Sequence, residues 1–285
     1  MYFLNYLHTI TNLDKLVQST LQRKTNGETL SKDYRDFVQI TRKIPVKSGC
    51  KISFEDDELG SFIQNQGIFD DVFSKIFKTS KEERIDFENN VKKSLDYIRD
   101  IDYRLSWIVE TLVTDIVLFQ SDRFGGGSAS HLPGVVCISP NEKWEIGDFA
   151  ESILHEATHL NLFLCDMVNS LFKVPLEELE KDEARVVSAV RIGQLRPLDK
   201  ALHSAVVAVP LMYMQNITNQ TTLVDLFTDS LKTCSEGLLK KEEYFTEYGL
   251  ELVNQLHKFA TNQNFEDVKD AIGNKKFAAS SSTIN

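Results

Sequence analysis

Glu151-Ser-Ile-Leu-His-Glu-Ala-Thr-His-Leu-Asn-Leu-Phe-Leu164 is the stretch on which the reading of this chain turns. It holds the HExxH of the sequence, His155-Glu156-Ala157-Thr158-His159, and no Gly or Pro interrupts it, so it reads as one helix. Residues four apart on an α-helix stack on one face, a turn from each other. Two imidazoles so placed can aim nitrogens at a single metal ion. Glu156, one residue on, lies roughly 100° round the helix and can serve such a site from its flank. Five-residue patterns also arise by chance, and an isolated His is more often a satisfied core or surface residue. The surroundings argue against chance. Phe149, Ile153, Ala157, Leu160, Leu164, Val168 and Leu171 recur at spacings of three and four and form one apolar stripe. His155 and His159 fall on the opposite side, flanked by Leu162 and Phe163. A helix apolar on one side, with two His beside apolar residues on the other, is expected to line a pocket as well as a core.

A chain of 285 residues can bury a large core, as one sizeable domain or two small ones. Its hydrophobic fraction of 42% and charged fraction of 26% are those of a globular protein. The formal net charge of −10, with no Lys/Arg run, argues against nucleic acid or an anionic membrane as partner. Cys50, Cys137, Cys165 and Cys234 are scattered, with no CxxC, so neither a disulfide framework nor a zinc knuckle is indicated. The first residues lack a basic and then continuously apolar segment, and no apolar run is long enough to span a bilayer. A cytoplasmic protein is the expectation.

The first 120 residues read as mostly helical. Leu4, Leu7, Ile10, Leu13, Leu16 and Leu21 suggest an amphipathic first helix, and residues 31–44 a second, stopped by Pro45. Residues 56–77 read as a helix broken near Gly60 and Gly67. Ser80-Lys-Glu-Glu resembles a capping box opening a long charged helix. Residues 101–119 read as a buried helix, with a strand as the alternative for its end, 115–119. Three consecutive glycines, Gly125 to Gly127, rarely sit inside a helix or strand. They are expected to form a loop, either a plain linker or a backbone that approaches a substrate closely. Gly134-Val-Val-Cys-Ile-Ser139 follows as a β-branched strand. Beyond the HExxH helix, the acidic segment 177–183 reads as a solvated helix, with Glu177, Glu178 and Glu183 as candidate third metal ligands. Pro197 suits the first turn of a helix running to about Pro210 and carrying His203. Helices are expected around 222–233, 236–260 and 265–271, with a disordered polar tail at 280–285. The organisation expected is a helical part over 1–120 and a metal-site region with C-terminal helices over 121–285, together one compact unit.

Three segments carry a resemblance: Ser128-Ala-Ser-His-Leu-Pro-Gly-Val-Val-Cys-Ile-Ser139, Leu154-His-Glu-Ala-Thr-His-Leu160, and Ser188-Ala-Val-Arg-Ile-Gly-Gln-Leu-Arg-Pro-Leu-Asp-Lys-Ala-Leu-His203. The set resembles the HExxH-motif peptide-modification proteins found with ribosomally made, post-translationally modified peptides. That family's Arg-Pro-Leu run followed by Leu-His is matched by Arg196-Pro-Leu198 and Leu202-His203. Its Ser-x-x-Arg is matched by Ser188 and Arg191, with Ala189 where proline is usual. The resemblance spans about residues 125–215. It implies an iron(II)- and 2-oxoglutarate-dependent peptide β-hydroxylase acting on a precursor peptide, with iron held by His155, His159 and His203. Arg196, or failing it Arg191, would bind the distal carboxylate of 2-oxoglutarate, since a guanidinium is always charged and grips a carboxylate bidentately.

Two chemistries fit the one motif. In the oxygenase, Glu156 need not be a base and can orient a ligand or bind the peptide. In a zinc hydrolase, His155 and His159 bind zinc, Glu156 is the general base, and the third ligand is His203 or an acidic residue of 177–183. A non-enzymatic partner protein that keeps the fold is the third class, and the intact HExxH speaks against it. The fold expected is α+β and mainly helical, a zincin-like core with a short sheet and the HExxH metal-binding helix. In zincins an edge strand beside the metal holds an extended peptide through its backbone, which is here an expectation by analogy.

Overall fold

The computed structural model describes residues 1–25 and 28–273; the tail at 280–285 lies outside them. The chain is α+β and mostly helical. A short 3-10 turn at Tyr2–Leu4 leads into α1 (Tyr6–Leu21), and α2 (Leu30–Arg42) ends where Lys43 takes a left-handed conformation, φ 57°, just ahead of Pro45. β1 (Lys51–Phe54) then precedes α3 (Glu58–Asn65) and the two-residue β2 (Ile76–Phe77). Next come α4 (Lys81–Ile101) and α5 (Tyr103–Leu112). The strands β3 (Asp115–Leu118), β4 (Gln120–Ser121), β5 (Gly125–Gly127) and β6 (Val135–Ser139) lead to α6 (Ile146–Asn169). The rest is α7 (Leu176–Leu179), β7 (Val186–Val187), β8 (Leu195–Arg196), α8 (Leu198–Ile217), α9 (Thr222–Leu239), α10 (Glu247–Asn262) and α11 (Phe265–Gly273).

Local signals explain several of these boundaries. The Ser80 hydroxyl accepts from the Glu83 amide, and the Glu83 carboxylate accepts from the Ser80 amide, so the box that opens α4 satisfies two otherwise orphaned donors. Of residues 56–77 only α3 is helical. Gly60 does not break it: a side chain there would overlap the Phe54 carbonyl, so the glycine lets α3 close onto β1. The chain leaves the helix at Gly67, which is left-handed at φ 65°.

Residues fall into two compact units, Met1–Leu16 with Asn161–Asn285, and Val17–Leu160. The division runs through α1 and α6 rather than at residue 120, because β3 and β6 belong to one sheet. In the Val17–Leu160 unit that sheet has the order β1-β3-β6-β5. β1, β3 and β6 run parallel, with Asp115 opposite Val135 and Leu118 opposite Ile138, whereas β5 pairs antiparallel at the edge, Gly126 opposite Ile138. Every residue of β3 and β6 is buried, as expected of central strands covered on both faces. One face packs Leu59, Ile63 and Phe73 against Val117, Val135 and Cys137. At the sheet's start Asp115 meets the Arg42 guanidinium at 2.7 Å with both side chains out of water.

The other unit, among its described residues, is helical apart from the β7–β8 ribbon and an isolated bridge between Phe172 and Phe245. α8 is its centre: from Leu198 to Gln215 all but Asp199, Lys200 and His203 are buried, the pattern of a helix enclosed on all sides. That is why α8 runs through Pro210 to Ile217 instead of ending near Pro210. Packing on every side holds the helix across the missing amide hydrogen bond, overriding a local breaker. A buried polar cluster lies in the same unit. His8 Nε2 and the Tyr248 hydroxyl are 2.7 Å apart, Asn12 Nδ2 lies 3.1 Å from the same imidazole nitrogen, and the Tyr2 hydroxyl donates to the Tyr248 carbonyl at 2.7 Å.

Candidate metal centre

α6 carries the HExxH as the sequence leads one to expect. Phe149, Ile153, Ala157, Leu160 and Leu164 are all buried, which fixes the rotation of the helix and leaves His155 and His159 half-exposed. The two Nε2 atoms are 3.2 Å apart, and the rings meet edge-on with centroids 4.9 Å apart. Two imidazole nitrogens at a zinc-like bond length of about 2.0–2.1 Å from one ion would subtend about 100° at this separation, between the octahedral and tetrahedral angles. The separation therefore suits chelation of a single ion. Among the described residues, no group of three His, Cys, Asp or Glu side chains is gathered at metal-binding spacing.

Glu156 points differently from its neighbours. It is 4% exposed, and the Ser128 hydroxyl donates to its Oε2 at 2.7 Å. Its Oε1 is 3.9 Å from His155 Nε2. Burial pushes the carboxyl up to about 7, and the Ser128 hydrogen bond offsets only part of that.

The glycine run is not the loop its composition suggests. Gly125 to Gly127 form the edge strand β5, and each glycine has a local reason. A Cβ on Gly126 would stand 2.6 Å from Glu156 Oε1, and one on Gly127 would stand 2.9 Å from the Phe69 ring. Gly125 takes φ 138°, and Phe69 itself is left-handed at φ 72°. Alternation along a strand sends successive residues to opposite faces, so β5 is approached by the carboxylate on one face and by an aromatic ring on the other. At Gly126 and Gly127 side chains are excluded by contacts distant in sequence, which is why local composition misreads the run. What approaches this backbone closely is the protein's own Glu156 and Phe69.

The remaining candidates belong to the other unit. His203 sits on α8, half-buried, with its ring tilted against Phe163 at a centroid distance of 4.8 Å. Phe163 continues the four-residue series of His155 and His159 along α6. Arg196 is half-buried on β8, opposite Val186, so it precedes α8 on a strand instead of sharing a helix with His203. Arg191 is exposed in the turn between β7 and β8, where its amide donates to the Ser188 hydroxyl at 3.1 Å. The Ser-x-x-Arg spacing thus has a local structural use. Where proline is usual, the Ala189 amide donates to the Ser204 hydroxyl at 2.9 Å, a bond proline cannot make. Glu177 and Glu183 are exposed, and Glu178 pairs with Lys181 at 2.6 Å, so the acidic segment is a surface feature.

His131 is exposed, Trp144 packs edge-on to Phe149 at 5.5 Å, and His257 Nδ1 lies 3.2 Å from the Ser235 hydroxyl. The residues that reading in sequence order missed are Ser128, Gly126 and Phe69. The only local signal was the unusual Gly-Gly-Gly-Ser run itself. None of the described helices is long and apolar enough to cross a membrane. No protein-family model and no curated protein matches the chain. The resemblance rests on its three motif segments.

Proposed function

We propose that this chain is an iron(II)- and 2-oxoglutarate-dependent enzyme that hydroxylates a side-chain β-carbon of a ribosomally made precursor peptide, on a zincin-like core. The observation that carries the reading is the pair of Nε2 atoms 3.2 Å apart on a helix whose Glu156 abuts an antiparallel edge strand. His155 and His159 would hold the metal, with His203 as third ligand on the strength of the Leu202-His203 motif. When bound, iron(II) with 2-oxoglutarate supplies the means to insert an oxygen from O2 into a C–H bond.

The protein's own part is binding, orientation and exclusion of water. Arg196 would take the distal carboxylate of 2-oxoglutarate through its planar fork, with Arg191 as the alternative. The backbone of β5 would pair with an extended peptide, since an edge strand offers amides and carbonyls at the spacing a strand requires. Glu156, buried and tied to Ser128, would set the relation between that strand and the imidazole pair.

One observation favours a second reading, a zinc-dependent peptide or amide hydrolase. Glu156 is buried with Oε1 3.9 Å from His155 Nε2, where it would serve as general base for the chemistry that zinc would supply. Anaerobic loading with iron(II), followed by titration with 2-oxoglutarate under an absorbance scan, separates the two. The oxygenase reading expects a broad metal-to-ligand charge-transfer band that Arg196→Ala abolishes. A band that survives in the variant moves the clamp to Arg191. No band in correctly loaded protein overturns the oxygenase, and zinc-loaded peptide hydrolysis with Glu156→Gln becomes the next assay.

A further inference from the structure

The hydrogen bond from Ser128 to Glu156 links two segments that local sequence does not connect. Glu156 has two carboxylate oxygens and only two directions in which to offer them. Oε2 accepts from Ser128 at 2.7 Å, and Oε1 stands 3.9 Å from His155 Nε2. A carboxylate is planar, so anchoring one oxygen fixes where the other points. The side chain is also pressed against Gly126, where a Cβ would come within 2.6 Å of Oε1 and 2.8 Å of Cγ. Gly126 therefore sets how deep the carboxylate sits, and Ser128 sets its rotation. Both residues belong to one short segment, since Ser128 directly follows β5. That segment is held in its turn. Gly126 and Gly127 pair with Ile138 and Cys137 on the fully buried β6, and the Phe69 ring closes over the Gly127 position.

We propose that Ser128 is a positioning residue for Glu156: with Gly126 it forms a seat that turns Oε1 toward the imidazole pair. A carboxylate so aimed would stabilise a cation held by His155 and His159. The proposal rests on the reading of His155 and His159 as metal ligands. Its substance is the path by which the edge strand acts on them. Because Ser128 directly follows β5, the strand that pairs with β6 also fixes where Oε1 stands.

The test is cobalt(II) titration of the full-length chain, with affinity read from the visible d–d absorption. Variants are Ser128→Ala, Ser128→Thr, Gly126→Ala, Glu156→Gln and the Ser128→Ala/Glu156→Gln double variant, each checked for fold by far-UV circular dichroism. Groups that orient or polarise a metal site without ligating typically change affinity by about 10–100-fold. Glu156→Gln is expected to weaken cobalt by about tenfold at the low end of that range and to alter the band shape. Ser128→Ala should reproduce both changes, and Ser128→Thr, which keeps the hydroxyl, should restore them. Gly126→Ala should displace the carboxylate and give the same spectrum with the hydroxyl intact.

The decisive reading is the double variant. If Ser128 acts through Glu156, adding Ser128→Ala to Glu156→Gln weakens cobalt no further, whereas independent structural effects add. Cobalt bound by all variants with wild-type affinity and spectrum overturns the proposal while leaving the metal pair in place. Additive losses overturn it as well. Failure of the wild-type chain to bind cobalt removes both the metal centre and the role of Ser128. A folded His155→Ala variant that still binds cobalt with wild-type spectrum would do the same.

Discussion

His8 and Glu156 are both titratable side chains taken almost wholly out of water, and their surroundings treat them in opposite ways. His8 is fully buried and pushed down to about 4, chiefly by desolvation. Tyr248 and Asn12 bond its Nε2 while its Nδ1 is buried without a partner, Asn5 accepts from its amide at 2.9 Å, and Asn5 in turn donates to the Ala271 carbonyl at 2.7 Å. Such a cluster ties α1 to α10 and α11 and presents nothing to solvent. Glu156 is equally buried, but the imidazole beside it remains 27% exposed. One network ends in backbone, the other at an accessible pair of nitrogens. The contrast separates a buried polar group enclosed among its neighbours from one that borders an accessible pair of nitrogens.

His155→Ala is the strongest way to break the contrast. It should cost more than about 100-fold in cobalt affinity, beyond the range of supporting groups, while changing unfolding free energy by under about 1 kcal/mol, as partly exposed side chains do. His8→Ala should do the reverse. It removes the imidazole from between Tyr248 and Asn12 and leaves a hole, so urea unfolding should show a loss of about 2–4 kcal/mol with cobalt binding intact. If either variant moves both readouts together, the distinction fails.

Acidity sharpens the same comparison. Because the folded pKa of His8 is about 4 against an ordinary value of 6.5, the unfolded chain takes up a proton first as pH falls. The stability His8 withholds from the unfolded state is complete above 6.5 and drains away toward pH 4, by about 2–3 kcal/mol at pH 4.5. A urea midpoint measured at pH 7 and 4.5 should therefore fall in the wild type, and by less in His8→Leu. The smallest effects are on β5. Gly127→Ala must push the Phe69 ring aside, an overpacking cost of about 1–3 kcal/mol. Ser128→Ala removes one hydrogen bond, about 1 kcal/mol, and thermal unfolding should rank the two in that order.

Much of the α6 region was legible in sequence because its signals are local. The three-and-four spacing of Phe149, Ile153, Ala157 and Leu160 fixes the helix face, the β-branched run fixes β6, and Ser80 with Glu83 fixes the start of α4. What escaped depends on partners far along the chain. Lys51-Ile-Ser-Phe54 is too short and mixed to read as a strand, and becomes one by pairing with β3. Gly125 to Gly127 read as a loop because nothing nearby announces Glu156 or Phe69. Pro210 reads as a stop because its enclosure by buried neighbours is invisible in order. For the site, the motif located both imidazoles, but not the hydroxyl that holds the carboxylate between them and the sheet.

A strand of three glycines has a property beyond allowing close approach. It displays amides and carbonyls but no side chains, so it cannot tell one residue of a bound peptide from another. A chain laid along it would be registered by polarity and by phase alone. Phase on a strand has a period of two, and a slip of one residue turns every side chain to the opposite face. A chain laid along such a surface would be held through its backbone.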